Sequence, residues 1–188
     1  MNNGLIDGKH YFDPAVNFPI HLSNDCYITR LVERDASELF NVVNSCRAYL
    51  ERWLPWVKTC LMEHDSLVFI QKAQEKLRNS ESIILSLRCA DKIIGIISIL
   101  KLNFIELSAE IGYWISEEYQ GRGIVTSACR HLIDHICFSN LGLSKIIITC
   151  DFGNEKSAAI PRRLGFTEKA RERNADTAQF ELVKMTCE

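Results

Sequence analysis

Glu110-Ile-Gly-Tyr-Trp-Ile-Ser-Glu-Glu-Tyr-Gln-Gly-Arg-Gly-Ile-Val-Thr126 is the stretch on which the fold turns. An apolar, aromatic run ends in acidic residues, a Gln-Gly-Arg-Gly loop follows, and an amphipathic segment begins at once. Physically this reads as a strand, a glycine loop and a helix N-terminus. Such a junction aims free backbone N–H groups and the positive end of a helix dipole at one spot, which suits a phosphate or pyrophosphate. Glycine at 121 and 123 permits a positive φ and a close ligand approach. Two familiar phosphate loops fail here. A Walker A loop needs Lys-Ser/Thr after its last glycine, where this chain has Ile124-Val125. The dinucleotide fingerprint starting at Gly121 needs a glycine at 126, where Thr stands.

Working outward, Asn154-Glu-Lys-Ser-Ala-Ala-Ile-Pro-Arg-Arg-Leu-Gly-Phe166 follows the loop by one helical segment and one apolar strand. Together the two stretches resemble the GCN5-related N-acetyltransferase (GNAT) superfamily. Gln120 and Gly123 hold the first and fourth positions of its acetyl-CoA loop, Gln/Arg-x-x-Gly-x-Gly/Ala, and Val125 departs at the sixth. The later segment resembles that family's Asn-x-x-Ser helix with its Leu-Gly-Phe ending. Leu54-Pro-Trp56, Tyr113-Trp114 and Ala159 to Phe166 are similar to the RimJ/RimL-like branch, which acetylates ribosomal-protein N-termini. The resemblance covers residues 26 to 186.

That resemblance implies an α+β fold: a twisted, mixed, V-splayed sheet of six to seven strands with about four flanking helices. It implies acetyl-CoA as cosubstrate and no metal. Backbone groups of Gln120, Gly121, Arg122, Gly123, Ile124 and Val125 are expected on the pyrophosphate, with the Arg122 guanidinium as a further partner. Pantetheine is expected along Tyr113, Trp114 and Ile115, where the family's strand bulges away from the next. Asn154 joins the cofactor set and equally reads as a helix N-cap. Ser157 either supports that cap or serves as the donor to the thioester sulfur. The implied acceptor is a protein N-terminal α-amino group, with a small-molecule amine as the alternative; a catalytically silent acyl-CoA-binding module is the reading from another class.

Acetyl transfer also needs a neutral amine. Glu110, at the start of the loop-bearing strand, is the first candidate base, with Glu106, Glu172, Asp176 or a water as the others. A free α-amino group has a pKa of roughly 7.7 to 8.0 and needs little help near neutrality. His131 and His135 share a helix face but have no third ligand beside them, so they read as ordinary histidines rather than a metal site. Tyr49, Trp53 and Trp56 line the acceptor groove or cap the core.

The chain has 188 residues, enough for one domain with a sizeable core, of which 47% are hydrophobic and 24% charged. A net charge of −2 and the absence of a long basic run give no reason to expect nucleic-acid binding. The eight cysteines are scattered singly in apolar segments and read as unpaired core thiols. No secretory signal opens the chain, and the apolar run Ile93 to Leu100 is too short to span a bilayer, so no membrane role and a reducing cytoplasm are expected. Homodimerisation is an option the resemblance leaves open.

Residues 1–25 carry Pro14 and Pro19 without a clear period and read as an irregular arm before a single N-acetyltransferase domain, 26–188. Strands are expected over Cys26 to Val32, Ile83 to Cys89, Ile93 to Leu100, Ala109 to Ile115, Lys145 to Cys150 and Gln179 to Met185. Helices are expected over Asp35 to Leu50, Ser66 to Arg78, Gly123 to Asn140 and Glu155 to Leu164.

Overall fold

In chain order the strands are β1 (Leu5–Ile6), β2 (Lys9–His10), β3 (Ile20–His21), β4 (Cys26–Arg30), β5 (Ile83–Cys89), β6 (Lys92–Asn103), β7 (Ser108–Ile115), β8 (Lys145–Asp151), β9 (Thr167–Glu168) and β10 (Thr177–Val183). The helices are α1 (Ala36–Ser45), α2 (Arg47–Leu50), α3 (Glu63–Arg78), α4 (Ile124–His131) and α5 (Glu155–Arg163). The computed structural model describes residues 5–6, 9–10, 18–23, 25–169 and 176–184. The eight strands of the main sheet run in the order β3-β4-β5-β6-β7-β8-β10-β9, and β1 and β2 pair separately. The count exceeds the expected six to seven because β3 and β9 are two-residue edge strands with no periodicity to betray them. The stretch read as an irregular arm thus supplies one edge of the sheet, through Ile20↔Ile28 and His21↔Tyr27.

Helices differ from expectation in their breaks. The segment 35–50 divides at Cys46 into α1 and α2, which gives five helices rather than four. Helix α3 begins at Glu63 because Asp65 Oδ2 accepts from the Leu61 and Met62 amides, 2.8 and 2.9 Å, and so satisfies donors at the start of the helix. Helix α4 continues as a π-helical stretch, Leu132–Asn140.

Helices cover both faces. Ala128, Cys129, Leu132 and Ile136 pack with Ile97, Ile99, Ile111 and Ile148 on one side. Leu39, Val43, Leu50 and Ile70 pack with Ile93 and Ile96 on the other. β6 is therefore buried on both faces, which is why its sequence is a continuous apolar run instead of an alternation. Helix α1 is fixed to β5 by Arg88, which pairs with Asp35 at 2.8 Å and Glu38 at 3.4 Å. Cys26 and Cys89 are direct cross-strand partners and form a disulfide, which corrects the reading of all eight cysteines as unpaired thiols. A sequence separation of 63 hid the pair; only sheet register brings it together.

The feature that positions the site is the junction of β7 with β8. Among the described residues this is the one parallel pair in the main sheet, and its register stops after Ser108↔Lys145, Ala109↔Ile146 and Glu110↔Ile147. Beyond those pairs the strands part, and the sheet opens as a V. The opening does not come from a bulge in β7. Residues 110–115 pair one for one with 95–100, and the irregularities lie near Ile94 and around Lys101–Leu102 on β6.

Candidate active site

The mouth of the V is a cavity of about 980 Å³. Strand alternation turns Tyr113 toward the α4–α5 layer and Trp114 toward the α1–α3 layer. Tyr113, Trp114, Ile115, Gln120, Gly121, Gly123, Ile124, Val125, Asn154 and Ser157 all line the cavity, so most of the expected set converges. Gly121 and Gly123 have φ of +73° and +76°, with no atom within 4 Å of where a Cβ would stand. Gly123 is the N-cap of α4 and supplies no side chain, so the amides that open the helix have no cap over them.

Arg122 is not part of this lining. Its guanidinium donates to the Glu118 carbonyl at 2.7 Å and lies 4.8 Å from the centre of the Tyr119 ring. Lys156, which sequence reasoning passed over, borders the cavity instead. Its Nζ donates to Gln120 Oε1 at 2.8 Å and lies 5.6 Å from the Tyr49 ring centre, so it spans loop, α5 and α2.

Ser157 sits in a closed arrangement that begins with a proline. Pro161 has no N–H and cannot bond the carbonyl four residues back, at Ser157. The Tyr113 hydroxyl takes that carbonyl, donating to Ser157 O at 3.0 Å. Ser157 Oγ in turn donates to the Tyr113 hydroxyl oxygen at 3.3 Å. Asn154 Oδ1 accepts from Ser157 N at 3.2 Å and starts the helix, so its capping role is real. Burial pushes the Tyr113 hydroxyl well above its ordinary pKa, so it stays a neutral phenol. Burial likewise raises the Cys150 thiol beside Ser157.

The candidate bases divide. Glu110 lies where β7 and β8 are still paired, and its carboxylate is held by Lys101 Nζ at 2.6 Å. Neither Glu110 nor Glu106 borders the cavity. Asp176 is exposed, and its carbonyl accepts from Phe152 N at 2.7 Å; Glu172 lies outside the described residues. The carboxylates that do border the cavity are Glu117 and Asp151. Glu117 stands three residues before Gln120 in the quoted stretch, and Asp151 ends β8. Proximity to the motif was the signal available for both. Tyr49 and Trp53 line this cavity, whereas Trp56 lines another. The His131 and His135 rings lie 4.3 Å apart, tilted by 44°, with the His131 pKa pushed down by burial and by His135. Among the described residues no group of three or more His, Cys, Asp or Glu is placed to hold a metal ion, and no helix is long and apolar enough to cross a membrane.

Comparison with known proteins agrees with this geometry. The family model described as an acetyltransferase (GNAT) domain matches residues 26–167. The chain is 26% identical over 147 residues to the ribosomal-protein-serine acetyltransferase of Escherichia coli (strain K12), covering 78% of this chain and 82% of that protein. It is 46% identical over 80 residues to YdaF of Bacillus subtilis (strain 168), a protein named as a candidate ribosomal N-acetyltransferase; that stretch spans 43% of either chain. Among solved structures it is similar to the microcin C7 self-immunity acetyltransferase MccE in complex with acetyl-CoA and AMP. The TM-score there is 0.80 at 27% identity, with 87% of this chain and 94% of that one covered.

Proposed function

The chain belongs to the GNAT acetyltransferase family, and from that premise we propose that it moves the acetyl group of acetyl-CoA to a primary amine, foremost the N-terminal α-amino group of a ribosomal protein. The observation that carries the reading is the cleft between β7 and β8, with the uncapped start of α4 at one side and Ser157 on its wall. The fit to acetyl-CoA rests on the loop. Two positive-φ glycines on either side of Arg122, with open space above them and followed by free helix-terminal amides, form an anion cradle. Gln120, Gly121, Arg122, Gly123, Ile124 and Val125 would hold the pyrophosphate through their backbone, and Tyr113 to Ile115 and Asn154 would border the arm that leads to the sulfur.

The thioester supplies an activated acetyl carbon and a sulfur leaving group. Transfer forms the N–C bond, breaks the C–S bond, removes a proton from nitrogen and leaves a thiolate that needs a proton or a donor. Ser157 is the donor we assign. Its hydroxyl now rests on a neutral phenol oxygen, a weak acceptor, so it can turn to sulfur at small cost. Nitrogen loses its proton to a carboxylate, directly or through water. Glu110, which pairs with Lys101 and does not line the cavity, is assigned that role through water, and Glu117 and Asp151 are tested beside it. A small amine is the second reading, favoured by the likeness to MccE, whose structure holds AMP beside acetyl-CoA. A cytoplasmic setting and a single acetyltransferase domain over 26–188, extended at its sheet edge by β3, complete the proposal.

The test is release of free CoA, measured with ribosomal-protein N-terminal peptides and with small amines, alongside calorimetric titration of acetyl-CoA. Turnover with a peptide and EDTA-insensitive binding are expected. Gly123→Val should abolish binding, because a β-branched residue is strained at φ +76° and would crowd the phosphate. Saturable binding with no turnover on any amine would leave a silent acyl-CoA module in place of the enzyme.

A further inference from the structure

A second cavity, of about 370 Å³, lies in the opposite layer and is lined by Leu39, Val43, Trp56, Phe69, Ile96 and Trp114, among others. Trp114 borders both cavities, so a single indole stands between them. Trp56 faces that indole with ring centres 6.3 Å apart. The rim is apolar yet open to solvent, with Trp56 43% and Phe69 39% exposed and the adjoining Leu61 and Met62 exposed as well. The wall is preformed. Arg47 donates to the carbonyls of Val57 and Cys60 at 2.7 and 2.6 Å and ties the segment that carries Trp56 to α2.

The charged side chains on this lining are Asp65 and Lys72. Asp65 is already spent on the start of α3, where the Met62 and Leu61 amides hold its carboxyl below the usual carboxylate range. A polycation would find a lysine and an engaged carboxylate. An apolar side chain would find two tryptophans, a phenylalanine and aliphatic carbon, and would leave water for a site already shaped to receive it.

We propose that this second cavity receives an apolar side chain of the acceptor, so that the preferred substrate is a polypeptide N-terminus with a large apolar residue next to its first, and not a polyamine. The inference rests on the acetyl-transfer reading above and deepens it. The reacting amine enters the V on one side of Trp114 while the neighbouring side chain anchors on the other. Burying one such side chain changes affinity by roughly 10- to 100-fold.

Two readouts separate this proposal from the one it rests on. Peptides that differ only at the second residue, Leu against Asp, and spermidine as a third ligand, are titrated into the full chain saturated with CoA and then assayed for acetylation. The Leu peptide is expected to bind, and to react as judged by kcat/KM, about 10- to 100-fold better than the Asp peptide. Trp56→Ala and Phe69→Asp should each erase that preference. Acetyl-CoA affinity should stay as in the unaltered protein, each variant should remain folded with a melting temperature lowered by the lost aromatic packing, and Phe69→Leu should keep the preference. Acetylation without any Leu-over-Asp preference, or with spermidine favoured and indifferent to Trp56→Ala, overturns the pocket while leaving the activity standing. Preferential binding of the Leu peptide without turnover overturns the activity while leaving the pocket standing.

Discussion

At the residue scale the decisive group is Ser157, and its behaviour is tied to Pro161 and Tyr113. Ser157→Ala should lower kcat by about 10- to 10⁴-fold with acetyl-CoA affinity nearly unchanged, a span from one lost hydrogen bond to full general-acid work. Unchanged turnover with a lowered melting temperature would reduce the serine to a helix-start support. Tyr113→Phe makes a sharper test. It strips the donor from the Ser157 carbonyl, which Pro161 has already deprived of a helix partner, and the expected loss is about 1 to 3 kcal/mol of stability. Adding Pro161→Ala should recover part of that loss, because alanine brings an N–H back to the same carbonyl; denaturant melts of the three variants decide it. Much of this was legible in the chain. The loop glycines, the Asn154 cap and the carbonyl freed by Pro161 follow from local rules, whereas the donor role of Ser157 came only from the family resemblance. The Tyr113 partner did not, since it depends on two elements 44 residues apart. Arg122 fell outside the cavity lining for a related reason: a nearby carbonyl and a tyrosine ring take its guanidinium first.

At the scale of elements, periodicity found the long strands and helices and missed their breaks. The early start of α3 is governed by hydrogen bonds to the Asp65 side chain, and the division of 35–50 at Cys46 by a local backbone turn, neither of which a hydrophobic pattern records. The join between α1 and β5 shows what such contacts are worth. Asp35 caps Val32 N at 3.0 Å and meets the nearly buried Arg88, whose side chain is 12% exposed. Asp35→Ala should cost about 3 kcal/mol, because the guanidinium then keeps its burial and loses its main partner. Arg88→Met together with Asp35→Ala should cost less than Asp35→Ala alone. A double variant less stable than the single one, read from thermal or denaturant unfolding, would refute that account.

Over the whole molecule, layer order was legible because it follows from which runs are continuous and which alternate. β6 is apolar through most of 93–100 since both helix layers rest on it. The two-residue strands were too short to carry a period, and the Cys26–Cys89 pair exists only through register between strands 63 residues apart. The V has a consequence for the backbone of the sheet itself. From Ile111 to Ile115, the groups of β7 on the β8 side face the gap instead of a neighbouring strand, although they lie mid-sheet. Those amide hydrogens should take up deuterium quickly in the protein alone and slowly once acetyl-CoA fills the gap, while their neighbours bonded to β6 stay protected throughout. Uniform protection along 111–115 without ligand would contradict the open junction. In most folds the centre of a sheet is the last place a ligand reaches; here, along one side of one strand, the backbone itself is left to be completed by the molecule that enters.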